Sequence, residues 1–119
     1  MSPLALPGFS LDEESPDERT RVLTVHGELD MATAPALGQR MRRLLFWRDV
    51  ERVIVDLSGV SFIDSSDVRT LILSRTHADS LDRGLLFVCP DGSVLRRVRA
   101  YGLDEKLAFH GTMEDALRA

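Results

Sequence analysis

The chain has 119 residues, 44% of them hydrophobic, enough for one core and too few for two independently packed domains. Fifteen basic against 19 acidic residues leave a net charge of -4, which gives no general attraction for nucleic acid or anionic lipid. The single cysteine, Cys89, lies inside the apolar run LLFVC, so no internal disulfide is possible and a buried, inert thiol in a reducing, cytoplasmic setting is expected.

Residues 1–8 read as a loose N-terminal tail; MSPLALPGF lacks a basic leader and is broken by Pro3 and Pro7, so neither export nor membrane insertion is predicted. An edge strand is predicted over residues 9–14, where Phe9 and Leu11 alternate with Ser10 and Asp12, and a polar turn, SPDERT, leads into a second strand, RVLTVHG. The short connection predicts an antiparallel hairpin. A helix follows to about Trp47, with Thr33 as candidate N-cap, Pro35 in the first turn, and Leu37, Met41, Leu44 and Leu45 on one face. Arg40, Arg42, Arg43 and Arg48 fall mostly off that stripe and read as a solvated face, while Trp47, beside Phe46, is expected to fill the core.

RVIVDL, with three consecutive β-branched residues, has the composition of a central strand covered on both faces. Beyond a turn, SGVSFID, a second helix carries Val68, Leu71, Ile72 and Arg75, and LLFVC returns as a strand. Ser93 opens a short basic helix closed by Gly102, KLAF is a candidate edge strand, and Thr112 and Asp115 have capping-box spacing for a terminal helix, MEDALRA. The alternation predicts a single α/β domain over residues 9–118, with a mixed, mainly parallel sheet of four or five strands, about four helices and an N-terminal hairpin.

The stretch VSFIDSSDVRTL places two hydroxyls and two flanking carboxylates where a strand gives way to a helix, the position at which open α/β sheets meet ligands and partners. Ser65 or Ser66 is a candidate helix cap, and Asp67 in the first turn complements the macrodipole. A phosphate on a serine there would be favoured by free N–H groups and would add about -1.5 to -2 charges to the surface, switching docking without refolding.

GELDMATAP, DLSGVSFIDSS and the amphipathic helix after them resemble the STAS domain of bacterial anti-sigma factor antagonists, in order and spacing, across nearly the whole chain. The resemblance implies a cytoplasmic, non-enzymatic protein without cofactor that binds an anti-sigma serine kinase, frees a sigma factor, and is switched off by phosphorylation of Ser65 and reset by a PP2C-type phosphatase. It makes Asp64 the neighbour that holds the turn and Ser66 a supporting hydroxyl. Asp30 would present a carboxylate to the kinase, although it is equally suited to forming the turn, and Glu28 would support its loop.

One departure from the family pattern is Asp67, where glycine commonly follows the two serines. An exposed Asp67 would repel a Ser65 phosphate, add charge to the docking surface and help choose among kinases. Arg69, four residues after Ser65, would pair with that phosphate. The same motifs also suit a STAS module that never cycles through phosphorylation, as a fixed scaffold or a subunit of a stress-signalling or transport complex.

An enzyme is the weaker reading: no glycines bracket Ser65 as in G-x-S-x-G, and His26, His77 and His110 are scattered. Neither paired cysteines nor H-x-x-x-H predict a metal, and no Walker A or G-x-G-x-x-G loop predicts a nucleotide.

Overall fold

Alternating apolar strands and amphipathic helices settle into five strands and four helices in a computed structural model that describes residues 8–102 and 104–119. Most of the expected N-terminal tail, residues 1–7, lies outside the described residues. Strand β1 (Ser10–Asp17) pairs antiparallel with β2 (Thr20–Leu29), and β3 (Arg52–Ile63), β4 (Gly84–Val88) and β5 (Phe109–His110) follow in parallel, in the order β1-β2-β3-β4-β5. Because spatial order follows chain order, crossovers of one hand place their helices on one face. Helices α1 (Ala34–Leu45), α2 (Ser65–Ser80) and α3 (Ser93–Ala100) pack there, burying Leu37, Met41, Val68, Leu71 and Val98 against Leu23, Val25, Val53, Val55, Leu85 and Phe87. Alternate residues Val22, Ile54 and Val88 face the other way, where α4 (Met113–Arg118) covers them with Ala116 and Met113. The run Val53, Ile54, Val55 is buried throughout, as a strand covered on both faces requires.

Local chemistry moves several boundaries. The hairpin turn is shorter than expected, since β1 continues through Pro16 to Asp17; proline is tolerated on an edge strand whose missing N–H faces no partner. SGVSFI is not a turn but the second half of β3. Its pairing with β2 shifts register between Thr24 and His26 and again between Gly27 and Glu28, and Asp56 accepts the N–H and the hydroxyl of Ser58, so a turn-like sequence is absorbed as a bulged strand. Gly27 makes this possible. Its φ of +108° and the Gly8 carbonyl oxygen, 1.8 Å from where a Cβ would stand, leave room for glycine alone.

The last strand begins only at Phe109, the final residue of KLAF, because Asp104–Lys106 form a 3-10 turn; Phe109 and His110 then pair with Phe87 and Val88. Thr112 caps α4 by accepting the Asp115 N–H at 3.1 Å. Cys89 is buried, with its thiol pushed up to about 11 by desolvation, which makes it a poor nucleophile. Trp47 departs from expectation: it is 56% exposed and Phe46 62%, because α1 ends at Leu45 and both residues fall beyond its buried face.

Candidate functional site

Strands β2 and β3 end side by side at Leu29 and Ile63, so the Glu28–Asp30 segment and the start of α2 meet at one end of the sheet. The cap of α2 is Asp64 rather than either serine. Its backbone is extended, and its Oδ1 accepts the N–H of Ser66 at 3.0 Å, the N–H of Asp67 at 3.1 Å and the Ser66 hydroxyl at 2.6 Å. Asp67 reaches back, Oδ2 accepting the Asp64 N–H at 3.3 Å and completing a reciprocal capping box. Ser66 thus donates its hydroxyl to the cap, and Ser65, first residue of the helix, stays exposed with its side chain outside this network.

Asp67 contradicts its expected place on the docking surface: its relative exposure is 0%. Desolvation, and then the neighbouring Asp64 carboxylate and the charge of Asp30, push its carboxyl up to about 8. Burial and these neighbours favour the uncharged acid, and a side chain without exposed surface does not meet a Ser65 phosphate or a partner directly. Burial acts on Asp64 in the same direction, but the hydrogen bonds from Ser66 and Asp67 outweigh it and hold that carboxyl below its ordinary value.

Asp30 is spent largely on its own turn. Its Oδ1 accepts the N–H groups of Ala32 and Thr33 at 2.8 and 3.1 Å, while its backbone N–H donates to the Thr33 hydroxyl at 2.9 Å. That hydroxyl donates to the Glu28 carbonyl at 2.9 Å, so Thr33 ties the loop together instead of capping α1 through its side chain. Glu28 contributes this carbonyl and leaves its side chain exposed; Asp30 is half-buried.

Two shallow grooves flank the serine turn. One, of about 300 Å³, is lined by Ser65, Arg69, Ile72, Leu73 and Tyr101; the other, of about 330 Å³, runs between α1 and α2, with Met31, Pro35, Arg42, Ser66 and Thr70 on its walls. Met31 is 79% exposed and Leu73 63%, so the hydroxyls sit between apolar side chains that water covers poorly. Arg69 shares the Ser65 groove, as its i+4 spacing predicts, and Arg97 lies over the Phe62 ring, 4.7 Å from its centroid. Met31, Leu73 and Tyr101 escape sequence reasoning, although Ser65, Arg69 and Leu73 recur at i, i+4 and i+8 and that spacing could have found Leu73. Among the described residues neither groove is lined by a histidine.

This geometry coincides with a family match. The model of the STAS domain matches residues 14–116, from within β1 into α4. The chain belongs to the STAS domain family. Among solved structures, an anti-sigma factor antagonist from Mycobacterium paratuberculosis is 28% identical to this STAS domain with a TM-score of 0.83, covering 97% of each chain. The Bacillus cell fate determinant SpoIIAA in its phosphorylated form is 20% identical with a TM-score of 0.67, over 92% of this chain and 97% of that one. The murine anion transporter Slc26a9 in its inward-facing state gives 16% identity and a TM-score of 0.75, but the match, 87% of this STAS domain, spans 18% of the transporter. At these identities the last two likenesses are of fold. Among the described residues no helix is long and apolar enough to cross a membrane, and no group of three His, Cys, Asp or Glu side chains is placed to hold a metal.

Proposed function

We propose that this STAS domain is an anti-sigma factor antagonist whose Ser65 end docks on an anti-sigma serine kinase, and that phosphorylation of Ser65 breaks the docking and a PP2C-type phosphatase restores it. Family membership and the likeness to the Mycobacterium paratuberculosis antagonist support the role. The observation that carries the mechanism is the placement of Ser65: an exposed hydroxyl, outside the Asp64 hydrogen-bond network, at the start of a 16-residue helix and between apolar grooves. The kinase would cover Met31, Leu73 and Tyr101, with Ser65 near its centre. Ser66, Asp64, Asp30 and Glu28 hold the two loops in register. Arg69 is placed to steer an acidic partner before phosphorylation and to pair with the phosphate afterwards. The protein itself catalyses nothing in this scheme.

A phosphate in that groove opposes docking by charge and by fit. About 1.4 kcal/mol is a tenfold change in affinity, so a penalty of a few kcal/mol suffices to exchange partners. A buried Asp67 presents no surface to repel a Ser65 phosphate and so gives no support to a fixed scaffold.

Intact mass and site mapping on the protein from its own cells, growing and stressed, with phosphatases blocked, test the reading. A phosphate on Ser65 whose occupancy changes with condition is expected. An unmodified Ser65 throughout returns the fixed scaffold.

A further inference from the structure

Among the described residues Asp67 is the only fully buried carboxyl group, and it lies directly beneath the two serines. Its Oδ2 accepts one long backbone hydrogen bond, 3.3 Å from the Asp64 nitrogen, and its Oδ1 is buried with no partner. Two acidic groups stand near it: Asp64, from the end of β3, and Asp30, from the turn after β2. A carboxylate so placed would have one weak donor, no ion pair among the described residues and two like charges nearby, whereas a neutral acid has a proton to share with the Asp64 carboxylate. All three hydrogen bonds that Asp64 accepts from Ser66 and Asp67 end on its Oδ1.

We propose that Asp67 is the positioning residue of the Ser65 site: the pair it forms with Asp64 clamps the first turn of α2 and so fixes where the Ser65 hydroxyl points. This rests on the reading of Ser65 as the docking and phosphoacceptor residue, and adds a dependence on a proton. Ionising Asp67 sets two carboxylates against each other across the clamp and loosens the backbone that carries Ser65. A phosphate on Ser65, two residues away, adds negative charge nearby and raises the affinity of Asp67 for its proton. Phosphorylation and protonation of Asp67 therefore favour one another. In chemical terms a glycine at this position leaves the turn to the backbone, while an aspartate closes it with a side chain that must stay uncharged.

The test is NMR on the full chain from pH 6 to 10, following the Asp67 carboxyl carbon and the amides of Ser65, Ser66 and Asp67 in wild type, Asp67→Asn, Asp67→Ala and Ser65→Ala. The expected wild-type result is a single carboxyl step above pH 7, with the three amides moving alongside it. Asp67→Asn, whose amide keeps one acceptor and one donor, should match wild type at pH 6 and show no step; Asp67→Ala should shift the turn amides already at pH 6; Ser65→Ala should retain the step. A carboxyl that titrates near its ordinary value, or a step that persists in Asp67→Asn, overturns the clamp. The wild-type titration decides the matter even if a variant fails to fold. Ser65 that accepts no phosphate in a protein showing the step refutes the proposed function alone, and phosphorylation of Ser65 without the step refutes the clamp alone.

Discussion

The two ends of helix α1 both present apolar side chains to water, yet they are built in different ways. At its start, Met31 and the α1–α2 groove adjoin a turn crowded with hydroxyls and carboxyls, where Ser65 projects from the first residue of α2. At its end, Phe46 and Trp47 project from a loop whose carbonyls at Leu45, Trp47 and Arg48 accept hydrogen bonds from the Arg83 guanidinium, with the His77 ring edge-on to Phe46 at 5.3 Å. Twelve helical residues separate the two by about 18 Å, more than twice the roughly 8 Å Debye length at physiological salt. A phosphate on Ser65 is thus felt at one end and screened at the other. Exposed apolar area marks both ends; the exposed Ser65 hydroxyl and the buried Asp67 carboxyl distinguish only one.

The largest test of that contrast is the pH dependence of stability. Asp67 is raised to about 8 in the folded chain, against an unfolded value near 4, so its stabilising contribution is full below pH 4 and is lost as pH rises through 8. Between those values the folded state holds a proton that the unfolded chain releases, and stability falls as pH rises. Asp64 shifts the other way, below its ordinary value of 3.8, so between pH 5 and pH 8 it is ionised in both states and adds little slope. Urea unfolding at pH 5 and pH 8 should show Asp67→Asn gaining about 3 kcal/mol on wild type across the interval. Equal slopes for the two proteins would mean that Asp67 is charged in the fold, and the two ends of α1 would then differ in hydroxyl content alone.

Next in size is the separation of the ends in docking. Ser65→Asp should weaken binding to the cognate kinase at least tenfold, while Ser65→Ala keeps it and Trp47→Ala changes it less than twofold. Calorimetric titrations of the three variants measure this. A loss on Trp47→Ala comparable to that on Ser65→Asp would join both ends into one docking surface and remove the distinction drawn between them.

Strand and helix order was legible because periodicity is local: RVIVDL could only be a buried strand, and Leu37, Met41, Leu44 and Leu45 could only share a helix face. The position of the DSS turn followed from the α/β rule for strand ends. What the sequence hid depends on neighbours distant in the chain. Asp67 looked like surface charge because charge usually is, although its spacing from Asp64 is that of a capping box. SGVSFI looked like a turn because the bulges that absorb it belong to its pairing with β2. Trp47 looked like core because tryptophan commonly is, and only the end of α1 at Leu45 turns it outward.

The carbonyls at the far end give a smaller effect. Arg83→Met keeps much of the aliphatic stem but removes the donors to Leu45 and Trp47, and should cost about 1–2 kcal/mol in chemical unfolding, as for a helix C-terminus left without partners. The amides of Ser65, Ser66 and Asp67 should not move. If they do, the two ends are mechanically coupled through α1 and α2, and charge screening would no longer isolate them.

The smallest expected effect concerns Trp47 itself. A tryptophan 56% exposed has less than half of its apolar area to lose on truncation, so Trp47→Ala should cost about 1 kcal/mol, where a buried one would cost about 3–5. As the only tryptophan of the chain, it also reports its own surroundings. The emission of the folded protein should already lie near that of the unfolded chain, with ready quenching by iodide. Phosphorylation of Ser65 should leave both unchanged, because the charge is added an α1 length away. A blue-shifted, protected Trp47 in the isolated protein would instead mean that this end is covered in solution, by a second copy if the shift weakens on dilution, and the asymmetry between the ends would become one of partners rather than of chemistry.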